Sequence, residues 1–258
     1  MSKTRKKPKN LGLIVGALAL VLIFAVLLSK GDNQSAKIVI PNLEGEVSIF
    51  IDGVEEKTVS GVNKNLALKN ITPGFHAVLI AKEGFWPWLK EVGLAEAETL
   101  VLEPFFVLQN GSGLIVTEED PQYEKIRANF ETIALPSFSD KKISESGRRA
   151  IWVEGGSLFT EWLGEEEERP PYFCNEFGCH NVMVPFGVGG DIRNVDFYKK
   201  RDDVFVIAFG TGVFALDADP TGNQNFQPIF EGENPQFISG DESSIYVLDN
   251  NLLLQVAL

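Results

Sequence analysis

The feature that most constrains this chain is the apolar run from Leu11 to Leu28, LGLIVGALALVLIFAVLL, which contains no charged residue. As a helix rising about 1.5 Å per residue, it reaches about 27 Å, close to a hydrocarbon core of roughly 30 Å. A helix packed on one face of a globular domain needs only an apolar stripe, whereas this run is apolar on every side. Lys3, Arg5, Lys6, Lys7 and Lys9 precede it, and such residues hold their end of a span in the cytoplasm. The sequence therefore predicts a basic cytoplasmic tail over 1–10 and a transmembrane helix over 11–28 in the lipid bilayer. Everything later is extracytoplasmic, in a single-pass protein of the cell membrane. A cleaved signal peptide shares the basic and apolar regions. However, this run exceeds the roughly 7–15 residues of a secretory core, and SKGDNQSAK offers no A-x-A-like site. Retention is the expectation, and export follows on either reading.

Charge narrows the partners. The 258 residues carry 36 acids against 23 bases, a formal net charge of −13. The five bases of the tail face no acid there, so the exported part is more acidic than the whole. Such a body repels phosphate backbones, and nucleic acid is not expected as a partner. Two histidines, His76 and His180, and two cysteines leave few nucleophile, base or metal-ligand sets. There is no G-x-S-x-G or H-E-x-x-H, and no Ser/His/Asp triad assembles. No catalytic residue, cofactor site or metal site is expected, and the chain reads as a non-enzymatic protein.

Residues 29–36 are small and polar, as a tether should be. Over 37–108, short segments rich in Val, Ile, Leu and Phe alternate with turn signals at Asp52-Gly53, Pro73-Gly74 and Glu83-Gly84. In one of them Val47, Ile49 and Ile51 share a face. A small all-β sandwich is expected. The motifs Ile51-Asp52-Gly53, Pro73-Gly74-Phe75-His76, Lys82-Glu83-Gly84-Phe85 and Glu98-Thr99-Leu100 occur in that order. This stretch resembles a PEGA domain. The resemblance implies an extracytoplasmic β-sandwich of bacterial and archaeal cell surfaces with no catalytic residues and no cofactor.

Residues 109–139 read as a connector, with a short helix possible in 118–131. From 140 to 258 the pattern repeats in larger units: 150–163, 203–217 and 243–258 each read as strand, Gly- or Asn-containing turn, strand. This spacing suggests a β-propeller-like repeat domain. A closed propeller needs typically 4–8 blades and three are visible, so a partial or open arrangement is expected. The strand LLLQVAL (252–258) leaves an edge unless it pairs back. The fold class is thus all-β beyond the membrane helix.

Cys174 and Cys179, a C-x4-C outside the cytoplasm around the turn residues Asn175–Gly178, read most simply as a disulfide. Zinc held with His180 is the sharper alternative and lacks a fourth ligand. Asp217-Ala-Asp219-Pro-Thr221-Gly222 starts like a calcium loop, but Pro228 stands where the closing Glu belongs, so a tight turn is expected. Glu165–Glu168 read as a solvated loop tip, and the Gly-rich 184–191 as a loop. Phe85, Trp86 and Trp88 are candidate ligand contacts, weighed against ordinary core packing. The functional expectation is an interaction or scaffold module of the cell envelope, binding protein or glycan partners. The alternatives are a structural component that oligomerises through exposed strand edges, or a carboxylate-based hydrolase of envelope polymers.

Overall fold

The alternation at Val47, Ile49 and Ile51 belongs to β1 (Ala36–Ile51), and all three side chains are buried with Ile38 and Ile40. β1 turns at Asp52 and Gly53, with φ of 52° and 79°, into β2 (Val54–Ile71). Two successive left-handed residues match the twist of a tight hairpin. The computed structural model describes residues 35–111, 113–187, 189–241 and 243–258. The expected tail and membrane helix lie outside these. Among the described residues no helix is long and apolar enough to cross a membrane.

β3 (Gly74–Lys82), β4 (Trp88–Leu94) and β5 (Thr99–Val101) complete the first sheet. The order is β2-β1-β3-β4, with β5 parallel to the start of β1. The pairing is that of one continuous five-stranded sheet, because β1 runs on through register shifts near left-handed Asn42 and Gly45 instead of breaking. The start of β2, VEEKTVSGVNKN, is a strand that the hydrophobic pattern does not reveal. It is an edge almost wholly exposed, so neither face imposes alternation, and its charges discourage pairing with other chains.

After β6 (Gly113–Ile115), α1 (Tyr123–Glu131) buries Ile126 and Phe130, four positions apart and so on one face, against Leu253. Three four-stranded antiparallel sheets follow. The first is β12-β9-β8-β7, from β7 (Lys142–Ile143), β8 (Arg149–Glu154), β9 (Ser157–Trp162) and β12 (Val182–Gly187). A two-stranded hairpin, β10 (Cys174–Asn175) and β11 (Gly178–Cys179), lies between β9 and β12. The second sheet runs β13 (Ile192–Phe197), β14 (Val204–Phe209), β15 (Gly212–Asp217) and β16 (Phe226–Glu231). The third has β17 (Gln236–Ser239), β18 (Ser244–Asp249) and β19 (Leu252–Ala257), then β6 on the far side.

The three similar segments of the sequence are the central hairpins of these sheets. β19 meets β6 through Leu254↔Ile115 and Val256↔Gly113, so the C-terminal strand is paired on both sides. The Gly-rich segment is strand rather than loop as far as Gly187, with a bulge between Met183 and Phe186.

Polar side chains tie together the first strands of the three sheets. The Asn194 amide on β13 bonds both backbone groups of Phe237 on β17, standing in for a strand partner. Asp196 receives the Lys142 ammonium from β7 at 2.6 Å and the Ser239 hydroxyl from β17. Apolar packing links the first and second sheets through Ile151, Leu158, Phe205 and Ile207. A larger core runs from the N-terminal sheet into the second and third sheets without interruption.

Candidate functional site

Where the N-terminal sheet meets the second C-terminal sheet, each side presents polar groups that the other completes. The Leu89 N–H donates to Asn225 Oδ1 at 2.9 Å, and the Val107 N–H to Gln227 Oε1 at 3.0 Å. The Tyr198 hydroxyl donates to the Phe106 carbonyl at 3.1 Å. Arg201 gives N–H bonds to the carbonyls of Glu103 and Pro104 while pairing with Asp203 at 2.6 Å.

Lys90 is the centre of this junction. Its Nζ lies 3.3 Å from Asp217 Oδ2 and 3.1 Å from Asp219 Oδ2, and it donates to the Asp219 carbonyl at 2.8 Å. The segment that begins like a calcium loop is a turn whose oxygens hold an ammonium from another part of the chain. Burial pushes the Asp217 carboxyl above its ordinary range, and Lys90 opposes that rise. The turn lies close on β4: a Cβ on Gly222 (φ +62°) would sit 2.6 Å from the Glu91 carbonyl.

Beside this clasp opens a cleft of about 850 Å³, with walls from both units. Trp88, Leu100 and Val101 line one side; Arg148, Trp162 and Tyr172 line the other. Arg149, only 1% exposed, belongs to the second wall. Its guanidinium sits 5.1 Å from the Phe173 ring, 5.6 Å from Tyr172 and 5.7 Å from Trp162. Desolvated cations on aromatic faces are stabilised by the ring quadrupole. Nη2 donates to the Tyr172 hydroxyl at 2.7 Å, while Nε and Nη1 have no acceptor among the described residues. Burial pushes the Tyr172 hydroxyl well above its ordinary value. The Trp88 indole N–H and Asp202 Oδ1, from residues also bordering the cleft, likewise lack partners among the described residues. A smaller cavity of about 490 Å³ lies where the first strands converge, bordered by Lys142, Asp196 and Asp241.

The residues singled out in the sequence divide among several places. Cys174 and Cys179 are joined as a disulfide, so both sulfurs are committed to each other rather than to zinc, and His180 is exposed beside them. Phe85 packs edge-on against Phe106 under the Lys82 ammonium. Trp86 is half-buried against the main core, and its backbone N–H donates to the Val107 carbonyl at 2.8 Å. Trp88 is 4% exposed and is the one of the three that borders the cleft.

Lys90, Arg149 and Arg201 are absent from the sequence-level candidates. For Lys90 a signal exists. Trp88, Lys90, Val92 and Leu94 alternate on the buried face of β4, and a lysine in that register requires a buried acid. His76 is another convergence. Its Nδ1 is 2.7 Å from Asp52 Oδ2 and its Nε2 is 2.7 Å from the Thr72 carbonyl, so the Ile51-Asp52-Gly53 and Pro73-Gly74-Phe75-His76 motifs touch.

No protein-family model matches the chain, and no curated protein matches it. Among solved structures, the β-propeller domain of Myceliophteria thermophila Cps50 (Swd1) is similar over 80% of this chain and 87% of that one. The identity is 11% and the TM-score 0.31.

Proposed function

We propose that this protein is a membrane-anchored, extracytoplasmic interaction module, holding a protein or glycan partner of the cell envelope in its cleft without catalysis. On this reading residues 11–28 span the bilayer, 37–108 form a PEGA-like unit, and the three later sheets are blades of a partial, propeller-like array. The observation that carries the proposal is the cleft itself. Two β units wall it, aromatic and charged groups line it, and buried polar atoms around it are left unpaired among the described residues. Ligand sites are concave, largely apolar and equipped with a few polar groups that fix orientation.

The test presents the full chain in lipid nanodiscs to arrays of envelope glycans and envelope-derived peptides. Val101 is exposed in the cleft wall, so Val101→Trp fills the space without entering the core. Binding that Val101→Trp abolishes supports the reading, and binding that it leaves intact ends it.

Self-association through strand edges is the second reading, favoured by one observation. β6 is an edge strand presenting Leu114 at 69% and Ile115 at 61% exposure. Concentration-dependent oligomers abolished by Leu114→Lys, with no array binding, would replace the cleft reading with this one.

A further inference from the structure

Residues 163–181 leave the first C-terminal sheet between β9 and β12 as one excursion, closed at its base by the Trp162 N–H to Asn181 carbonyl bond of 2.8 Å. Its middle is fixed from below. Phe173 is buried, its N–H donates to the Pro170 carbonyl at 3.0 Å, and its carbonyl accepts the His180 N–H at 2.9 Å. Arg149 holds Tyr172 and Phe173 against Trp162 from the sheet side. The chain thus builds an arginine–aromatic pedestal immediately before Cys174.

What stands on the pedestal is held equally firmly. Cys174 and Cys179 are opposite each other in register and covalently joined, and Asn175 pairs with Gly178. Asn175 Oδ1 accepts the Phe177 N–H at 2.9 Å, and Gly178 takes a left-handed φ of +126°. At the tip Phe177 is 86% exposed, and every residue from 174 to 182 is exposed. Aromatic residues are enriched in interface cores. An anchor fixed before binding avoids much of the ordering cost of association.

We propose that this stapled hairpin is a docking finger that places Phe177 in an apolar pocket of a basic partner protein, an interaction separate from the cleft. Charge selects the class of partner. The excursion carries Glu165, Glu166, Glu167, Glu168 and Glu176 against Arg169. So acidic an excursion favours a pocket rimmed by Lys and Arg and disfavours anionic lipid. The same repulsion acts against a second copy of this acidic chain.

The test uses the full chain in the membranes of cells that make it, with photoreactive benzoylphenylalanine at position 177. Position 75 serves as control, because Phe75 is 90% exposed at the start of β3, on a strand without a staple. The expected result is one protein adduct, specific to position 177, whose crosslinked peptide is apolar and flanked by Lys or Arg. High salt weakens it, as does the Glu165→Gln/Glu166→Gln/Glu167→Gln variant. Purified wild-type chain competes for the adduct, and purified Phe177→Asp, altered only at the exposed tip, does not. Adducts with lipid, with a second copy, or shared with position 75 overturn the proposal. Equal competition by Phe177→Asp does the same.

Discussion

At the scale of single residues, two charge contacts carry distinct, checkable consequences. Lys90 and Asp217 form a buried pair, and removing one member of such a pair costs about 3–5 kcal/mol because the other is left uncompensated. Lys90→Met should therefore lower Tm by roughly 10 °C, read by calorimetry. Asp217 already has its folded pKa raised by burial, so its contribution is present at low pH and lost as pH rises above its ordinary value of 3.8. Without Lys90 that rise is unopposed, and the deficit of Lys90→Met should shrink on acidification from neutral pH. A deficit that is constant with pH would show that the clasp is not electrostatic.

His76 has acceptors at both ring nitrogens, a carboxylate and a carbonyl, so only the imidazolium satisfies both. The Asp52 hydrogen bond is the largest cause raising its pKa. A raised histidine stabilises fully below 6.5, and that stabilisation is lost as pH rises through the folded value. Asp52 is lowered, by the Ala77 N–H first and then by His76, so its share is lost as pH falls below 3.8. NMR titration should place His76 above 6.5 and Asp52→Asn should bring it down; a wild-type value at or below 6.5 contradicts the contact.

At the scale of elements, the join between β13 and β17 depends on one amide. Asn194→Ala leaves both backbone groups of Phe237 without their partner and should cost about 1–3 kcal/mol in urea denaturation. An effect below a few tenths would mean that apolar packing alone sets the spacing of these sheets. The disulfide acts differently. It closes a short loop that is exposed throughout, so chain entropy gives it at most about 2 kcal/mol. Reduction should speed proteolysis between Cys174 and Cys179 while the rest of the chain stays resistant. General loss of resistance would show that the hairpin supports the core.

Elements are also where the sequence is most and least legible. Val47, Ile49 and Ile51 declare a strand because one face is buried, and the three repeating hairpins show for the same reason. The opening of β2 is silent because an exposed edge needs no periodicity. β6 is silent because its partner β19 is distant in the chain, and nothing in Gly113-Leu114-Ile115 encodes that pairing locally. Cys174 and Cys179 were legible because they close their own short loop. Lys90 with Asp217 was half legible: the lysine breaks an apolar register, but its acid lies in another sheet.

At the scale of the molecule, one apolar core joins the N-terminal sheet to the second and third C-terminal sheets. Elements that share one continuous core unfold together as a cooperative unit. The full chain in nanodiscs should show one calorimetric transition whose van't Hoff and calorimetric enthalpies agree. Two separated transitions would mean that the cleft walls belong to independent bodies. No local pattern could have revealed the cleft, since its walls come from strands far apart in sequence.

The most direct measurement is amide hydrogen exchange on the full chain in nanodiscs, with and without a digest of cell-envelope glycans and peptides. The account predicts added protection concentrated in β4, in β5 and in residues 168–172 and 200–203, and lost in Val101→Trp. Protection confined to β6 and the start of β2, or no change in the cleft walls, would contradict it.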